Sequence, residues 1–295
     1  MIETFLKQHG EYSNDKYFKD LTTIKMGGHI KHFVIPNTID DLKEIIKFLK
    51  DYSICFKVIG NGSNLICGED EFDGVIIKLD NFNAYEIKDE EVYVEAGVMA
   101  PYFSNILAKL GLSGLEFASG IPGSIGGLIY MNAGAYKSSI SDILEEVTVL
   151  RRDEIITLKK DELKLNYRYS IFQEHPRWVI LSCKLKMSKK NPQEILDLMN
   201  DRLIRRKESQ PLDKPSAGSC FRNPENELAW KLIDDIGYRG YTIGGTKVSE
   251  KHSNFIINEG NGNAKEYLEL AYNIMDKVKE KYNIKLILEV EKFNC

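Results

Sequence analysis

The sequence is poor in the residues that build metal centres and disulfide frameworks. It has only five cysteines, which stand far apart and form no C-x-x-C pair: Cys55, Cys67, Cys183, Cys220 and Cys295. Of the five histidines only His29 and His32 lie close together, and their glycine-rich surroundings favour a loop or a strand. These spacings indicate neither a structural zinc site nor a redox dithiol. We therefore expect no metal site.

The sequence also lacks long apolar runs and an excess of positive charge. No run approaches the roughly 20 apolar residues of a transmembrane helix, and residues 1–11 carry acids and amides where a secretory signal has an apolar core. The net charge is −4, which gives no reason to expect nucleic acid or an anionic membrane as a partner. We expect a cytoplasmic monomer that neither enters a membrane nor binds nucleic acid. Any anionic substrate must then be met by local cations and backbone donors.

What the sequence does contain is typical of a globular protein of more than one domain. It has 295 residues, of which 43% are hydrophobic and 28% charged, so two or three domains with real cores are expected. Helix and strand patterns alternate along the chain, which indicates an α+β or mixed α/β fold. The segment 210–215 has two prolines within six residues, and we predict the main domain boundary there.

Local signals predict the bounds of several elements. Thr38 is expected to cap a helix whose apolar residues share one face, and Asn263 to cap the last helix. Pro101 marks the start of a further helix that carries Leu110 on its apolar face and stops at Gly111. A strand is predicted over the segment 286–293.

The stretch 121–136 organises the chain. Four of its sixteen residues are glycine, but apolar rather than charged residues separate them, so it does not read as a flexible linker. Glycine lets the backbone adopt φ > 0 and expose N–H groups to a bound anion such as a pyrophosphate. A tightly packed buried turn would explain the same composition, and this stretch alone leaves both interpretations open.

A second glycine-rich stretch, 58–66, favours the first interpretation. A short apolar run breaks into Gly-Asn-Gly-Ser-Asn and then resumes. It is neither a Rossmann fingerprint, since no G-x-G-x-x-G opens a helix after it, nor a P-loop, since it lacks the G-K-[ST] ending. Two such loops about one supersecondary unit apart indicate a large phosphorylated cofactor.

These two loops also resemble a known family. The segments 60–64, 120–127 and 132–136 are similar to the flavin-binding half of UDP-N-acetylenolpyruvoylglucosamine reductases, the FAD enzymes of peptidoglycan precursor synthesis. Further motifs of that family stand at 166–170, 216–224 and 286–290, in the family's order. The short interval between the motifs at 166–170 and 216–224 indicates the form of the family without an inserted Tyr-bearing loop.

The resemblance implies an α+β fold with a two-lobed FAD-binding region of the vanillyl-alcohol-oxidase type and a C-terminal α+β substrate-binding domain. The expected domains are residues 1–80 and 81–208 for the two flavin lobes and 209–295 for the substrate domain. FAD is expected to be bound without a covalent link, since neither loop contains histidine. The residues expected to contact it are Gly60, Asn61, Gly62, Ser63, Asn64, Gly123, Ser124, Gly126, Gly127, Asn132, Gly134 and Ala135.

Three residues are expected to be catalytic by the same resemblance. Arg168 polarises the enolpyruvyl group, Ser219 donates a proton to carbon, and Glu289 helps to stabilise negative charge. Without the family, Arg168 reads as an arginine stacked on neighbouring tyrosines, and Ser219 as an ordinary turn serine. Glu289 reads as one of two carboxylates on one strand face, because a period of two places Glu291 beside it. Cys220 offers an alternative thiol, but a cysteine without a histidine partner is more often buried packing.

The expected reaction is the NADPH-dependent reduction of UDP-N-acetylglucosamine enolpyruvate to UDP-N-acetylmuramate, with Tyr167 and Asn223 as substrate contacts. Two other functions remain open from the residues themselves. A flavin oxidase acting on a small alcohol would use a similar flavin domain and would consume oxygen. A non-catalytic nucleotide-binding module would bind a nucleotide and show no flavin spectrum.

Overall fold

Each of two structural units is built from three separate stretches of the chain. The computed structural model describes all residues, 1–295. Unit 1 comprises Met1–Asn14, His32–Asn61 and Asp73–Ile204, and unit 2 comprises Asp15–Lys31, Gly62–Phe72 and Arg205–Cys295. The expected division into 1–80, 81–208 and 209–295 stays a prediction about domains.

The helices begin and end close to the positions that their capping residues indicate. They are α1 (Ile2–His9), α2 (Phe18–Leu21), α3 (Ile39–Asp51), α4 (Ala100–Lys109), α5 (Ile125–Tyr130), α6 (Pro192–Ser209), α7 (Ala229–Asp235) and α8 (Ala264–Tyr282). Thr38 caps α3, because its Oγ1 accepts the N–H of Asp41 at 3.1 Å. Asn263 caps α8 through a capping box with Glu266, which confirms both predicted caps. None of the helices combines the length and the apolar character needed to cross a membrane.

One predicted core residue of α4 is not buried. Leu110 is 58% exposed, because α4 ends at Lys109 and Leu110 is already the C-cap residue. Its side chain therefore leaves the apolar face on which a longer helix would have placed it. Gly111 follows with φ +72°, the left-handed conformation that ends many helices.

The strands form several small sheets. They are β1 (Gly10–Ser13), β2 (Lys16–Tyr17), β3 (His29–Pro36), β4 (Phe56–Ile59), β5 (Leu65–Cys67), β6 (Phe72–Lys78), β7 (Tyr85–Lys88), β8 (Glu91–Glu95), β9 (Leu112–Ser113), β10 (Gly134–Ala135), β11 (Ser138–Ser139), β12 (Leu144–Arg151), β13 (Glu154–Lys159), β14 (Val179–Lys186), β15 (Ser188–Lys189), β16 (Thr242–Ile243), β17 (Thr246–Val248), β18 (Ile256–Asn258) and β19 (Glu291–Phe293).

Unit 1 has two main sheets. One follows the order β1-β3-β6-β4, with β1 antiparallel to β3 and β4 parallel to β6. The other is antiparallel throughout, in the order β13-β12-β14-β8-β7. A continuous core of buried aliphatic and aromatic side chains belongs to this unit, and it includes the whole predicted apolar face of α3.

Unit 2 is smaller and has its own core. Its sheet β16-β17-β18 is antiparallel, and β19 pairs in parallel with β5 in the register Glu291↔Leu65. The buried face of α8 packs on this core with Tyr267, which is fully buried.

The predicted final strand is too long. Only Glu291–Phe293 forms a strand, and the residues before it make one isolated bridge, Phe221↔Leu288. Glu289 therefore lies two residues before β19 rather than on it. The alternation in burial survives, since Leu286 and Val290 are buried while Ile287 is 56% exposed. The predicted burial pattern of this segment was therefore correct, but the prediction that it pairs continuously as a strand was wrong.

Candidate active site

The two glycine-rich loops meet within unit 1. A β-carbon built at Gly60 would lie 2.8 Å from the hydroxyl oxygen of Ser124. The side chain of Asn61 donates from Nδ2 to the carbonyl oxygen of Pro122 at 2.8 Å. A side chain at position 60 would displace the Ser124 hydroxyl, whereas the nearest backbone atom of the second loop, Gly127 Cα, lies 4.0 Å away.

The same loops leave backbone donors without partners. In unit 1 the N–H groups of Gly60, Asn61 and Ser124 donate no hydrogen bond within the protein. Ser124 is buried. Since buried backbone N–H groups are nearly always paired, these donors indicate a missing acceptor. An anionic group such as the pyrophosphate of FAD supplies acceptors of this kind, so the loops fit the cofactor that the sequence implies.

The second loop leads into the short helix α5, which Ser124 caps by accepting the N–H of Gly127 at 3.4 Å. Gly126 and Gly127 differ in their surroundings. A β-carbon at Gly126 would lie 3.0 Å from the β-carbon of Ala96, whereas one at Gly127 would meet only Ser124 Oγ, at an ordinary 3.6 Å. Packing within the protein therefore explains the first glycine. It does not explain the second.

The end of the loop is an anchored hairpin. Gly134 and Ala135 form β10, which pairs with β11. Asn132 is buried and has φ 40°. Its side chain donates to Asn166 O at 2.8 Å and accepts from the N–H of Ser141 at 3.3 Å. The predicted flavin residue Asn132 is thus a structural link between this loop and the turn that carries Arg168.

Arg168 lies at the tip of a two-residue turn. Asn166 and Tyr169 exchange two backbone hydrogen bonds of 3.0 Å, and Arg168 adopts φ 53°, a left-handed conformation uncommon for arginine and often retained at functional positions. Its guanidinium donates from Nη2 to Gly134 O at 2.8 Å and lies 5.2 Å from the ring of Tyr167. The aromatic stacking therefore coexists with a direct bond to the glycine loop.

Two residues for which no role was predicted support this turn. Gln173 donates from Nε2 to the carbonyl oxygens of Arg168 (3.0 Å) and Tyr130 (3.2 Å). The hydroxyl of Ser170, a fully buried residue, donates to Tyr130 O at 2.6 Å. Both connect the turn to α5. Only the tertiary contact reveals them, because Gln and Ser in a loop read as solvated polar residues.

In unit 2 the structure brings Ser219 and Glu289 into neighbouring segments. The N–H of Glu289 donates to Cys220 O at 2.8 Å, and the N–H of Arg222 donates to Ile287 O at 2.9 Å. Ser219 precedes these bonds by one residue and follows Gly218, which has φ +78°. The hydroxyl of Ser219 is half-buried and makes no hydrogen bond within the protein. It is therefore available to a bound molecule.

Asn64 connects the first glycine loop with the segment of Glu289. Its side chain donates from Nδ2 to Glu289 O at 3.0 Å, and its carbonyl oxygen accepts the N–H of Glu291 at 2.8 Å. The predicted cofactor contact Asn64 thus holds the backbone on both sides of Val290. Ser63 makes no side-chain bond within the protein and stays a predicted contact only.

The neighbouring thiol is not a reactive group. Cys220 is fully buried, and burial raises the pKa of its thiol to about 12 although a hydrogen bond with Tyr267 opposes the rise. A neutral, inaccessible thiol is a poor nucleophile, so the preference for Ser219 over Cys220 agrees with the structure.

The two residues expected to contact the substrate lie in different local structures. Tyr167 is 49% exposed at the tip of the turn. Asn223 is exposed, and its Oδ1 accepts the N–H of Ala229 at 3.0 Å, at the first residue of α7. Its side chain has a structural partner already, and contact with a substrate stays a prediction for both residues. No group of three or more His, Cys, Asp or Glu side chains is placed to hold a metal ion.

Two family models match the chain, and together they cover most of it. The model described as "FAD binding domain" matches residues 30–158. The model described as "UDP-N-acetylenolpyruvoylglucosamine reductase, C-terminal domain" matches residues 210–293. The expected α+β fold with a flavin-binding region and a C-terminal α+β part is confirmed.

Known proteins of the same description match along nearly the whole length. A UDP-N-acetylenolpyruvoylglucosamine reductase of Caldanaerobacter subterraneus subsp. tengcongensis is 42% identical over 291 residues, 98% of this chain and 96% of the relative. One of Bacillus subtilis is 41% identical over 272 residues, 92% of this chain and 90% of the relative. The crystal structure of the reductase from Thermus caldophilus superposes with a TM-score of 0.82 at 32% identity, covering 96% of this chain and 98% of that one.

Proposed function

Because the chain belongs to the UDP-N-acetylenolpyruvoylglucosamine reductase family, we propose that it reduces UDP-N-acetylglucosamine enolpyruvate to UDP-N-acetylmuramate. It is an FAD-containing oxidoreductase. NADPH is the proposed electron donor, and the product would serve the synthesis of peptidoglycan precursors. The observation that carries the proposal is the free hydroxyl of Ser219, on a segment bonded directly to the backbone of Glu289.

Main-chain groups would hold the cofactor. The N–H groups of Gly60, Asn61 and Ser124 have no partner in the protein, and backbone donors of this kind stabilise phosphate oxygens without a cluster of Lys or Arg. When bound, FAD would supply the hydride chemistry between NADPH and the enolpyruvyl C3. The protein must then place the substrate, stabilise charge at C2 and the carboxylate, and deliver one proton.

Arg168 would stabilise the negative charge that develops at C2 and the adjoining carboxylate. Its guanidinium is fixed by Gly134 O and by the ring of Tyr167, so little reorganisation is needed as charge develops. Glu289 is the second residue proposed to act on this charge.

Ser219 would complete the reduction by protonating C2, and a hydride at C3 with a proton at C2 balances the two-electron step. An unperturbed hydroxyl is a weak acid, so a cation or donor must stabilise the alkoxide as the proton leaves. This hydroxyl makes no bond to the protein, so its proton is available to a bound substrate.

The two half-reactions separate this role from a structural one. Ser219→Ala should leave the bleaching of flavin by NADPH close to normal and slow reoxidation by the enolpyruvyl substrate by about 10²–10⁴-fold, the range of general acid catalysis. Ser219→Cys should recover part of the rate, since a thiol can also donate a proton.

Stopped-flow absorbance of the flavin measures both steps. Ser216→Ala is the matched control, because Ser216 is half-buried and lies in the same motif, and its rates should stay near those of the wild type. Equal slowing of both half-reactions in Ser219→Ala, or no slowing of the second, would remove Ser219 from the mechanism.

A further inference from the structure

Asn254 holds the backbone directly beyond Ser219, and nothing in the sequence marks it. It is 3% exposed. Its Oδ1 accepts the N–H of Phe221 at 3.0 Å, and its Nδ2 donates to Phe221 O at 2.9 Å. Its own carbonyl oxygen accepts the N–H of Cys220 at 2.7 Å. One buried residue thus satisfies both backbone polar groups of Phe221 and one of Cys220.

The segment bound by Asn254 also holds Glu289. On its other side, Cys220 O accepts the N–H of Glu289, Arg222 donates to Ile287 O, and Phe221 bridges to Leu288. The residues 220–222 are therefore the central member of three adjacent segments. A buried side-chain amide that pairs with both the N–H and the C=O of one residue fixes the position of that residue. Asn254 therefore sets the register of this central segment.

The position of the Ser219 hydroxyl depends on this backbone register more than it would if the hydroxyl were hydrogen-bonded to the protein. Its hydroxyl has no hydrogen bond to any protein group, so nothing but its backbone determines where the proton is offered. The preceding residue, Gly218, has φ +78° with no atom within 4 Å of an added β-carbon, and it gives no support by packing. The residues that follow Ser219, Cys220 and Phe221, are held in place by Asn254.

We propose that Asn254 is a positioning residue for the proposed reduction, acting through residues 220–221 to place the hydroxyl of Ser219. This inference rests on the proposed function. A group that positions an acid affects only the step in which that acid takes part, so Asn254 has no role in the reduction of flavin by NADPH.

Asn258 provides a matched control. It is also 3% exposed and lies four residues further along the same segment. Its side chain is hydrogen-bonded at least as extensively as that of Asn254. It donates to Ile24 O and Lys25 O and accepts from the N–H groups of Gly260 and Gly262. Its side chain makes no hydrogen bond to residues 219–222. Asn258→Ala should lower the midpoint of thermal unfolding without changing the ratio of the two half-reaction rates.

The test uses the full chain. Asn254→Ala should slow flavin reoxidation by the enolpyruvyl substrate about 10–100-fold, the scale of a misplacement of about 1 Å. Reduction by NADPH should change less than about twofold. Asn254→Asp keeps the shape and the acceptor but loses the donor, so it should fold well and show an intermediate effect. In a Ser219→Ala background, Asn254→Ala should add almost nothing, because residues that act as a unit are not additive.

Hydrogen exchange on the flavin-free protein gives a readout that is independent of turnover. The amides of residues 220–222 should lose protection in Asn254→Ala and keep it in Asn258→Ala. The inference is overturned if both half-reactions slow equally, if the second does not slow, or if the effects of Asn254→Ala and Ser219→Ala multiply. A wild-type protein that is not reoxidised by the enolpyruvyl substrate overturns the proposed function itself, which is a different outcome from active wild type with an unaffected Asn254→Ala.

Discussion

Gly127→Ala tests whether the glycine loop exists for its ligand or for its own packing. The β-carbon added at this position meets only Ser124 Oγ, at 3.6 Å, and the residue lies inside α5 with no left-handed φ to preserve. The protein alone therefore gives no reason for glycine at this position. If a bound flavin approaches the α-carbon, a methyl group will interfere with it.

The two effects have opposite signs. Alanine in place of glycine within a helix stabilises by roughly 0.5–1 kcal/mol, which would raise the unfolding midpoint of the flavin-free protein by about 1–4 °C. An added methyl group in a filled site costs about 1–3 kcal/mol, so FAD should bind roughly 5- to 150-fold more weakly. A more stable protein that binds its cofactor less well is a pattern that general damage to the fold does not produce.

Gly126→Ala is the comparison. Its β-carbon would lie 3.0 Å from that of Ala96, tight enough that the protein must shift, so the flavin-free form should lose stability. Differential scanning calorimetry without flavin and a fluorescence titration with FAD measure the two quantities for both variants. If Gly127→Ala binds FAD as tightly as the wild type, the close approach of the ligand is refuted and the free backbone donors need another partner.

Three further expectations concern the cofactor, the turn and a thiol. Denaturation should release all flavin as FAD, and flavin left on the chain in mass spectrometry would contradict non-covalent binding. Arg168→Lys keeps the charge but loses the planar fork that reaches Gly134 O; substrate-driven reoxidation should slow at least about tenfold with FAD affinity unchanged. Burial raises the pKa of Cys220 from 9.0 to about 12, so its contribution to stability is complete below pH 9.0 and lost as the pH rises towards 12. Urea unfolding should show Cys220→Ala losing less stability than the wild type between these values.

Local signals in the sequence were sufficient wherever the cause of a structure is local. Thr38 and Asn263 cap their helices as predicted, because a cap needs only a short polar side chain and the next three residues. The strand predicted at 286–293 failed over most of its length. Alternation reports which side chains are buried, and it says nothing of whether a neighbouring backbone continues to pair.

The candidate site shows the same division. Ser219 and Arg168 were identified by their motifs, and the structure adds the free hydroxyl of the first and the left-handed backbone of the second. Asn254 and Gln173 had no such signal, since each works by reaching peptide groups far away in sequence or on another element. Polar residues that position others are recognised only once the fold shows what they contact.

Because unit 2 is built from three separate stretches of the sequence, it cannot fold stepwise during translation. Its β5 (Leu65–Cys67) is made long before its partner β19 (Glu291–Phe293). Residues 68–290 must therefore be translated before this parallel pair can close, and chains are synthesised at only about 5–20 residues per second. At that rate, the apolar residues Ile24 and Ile66 of unit 2 remain without the rest of their core for roughly ten seconds or more. A chain cut off after Ile204 would keep these early segments without their partners, so nascent chains of this enzyme should be a preferred client of ribosome-associated chaperones.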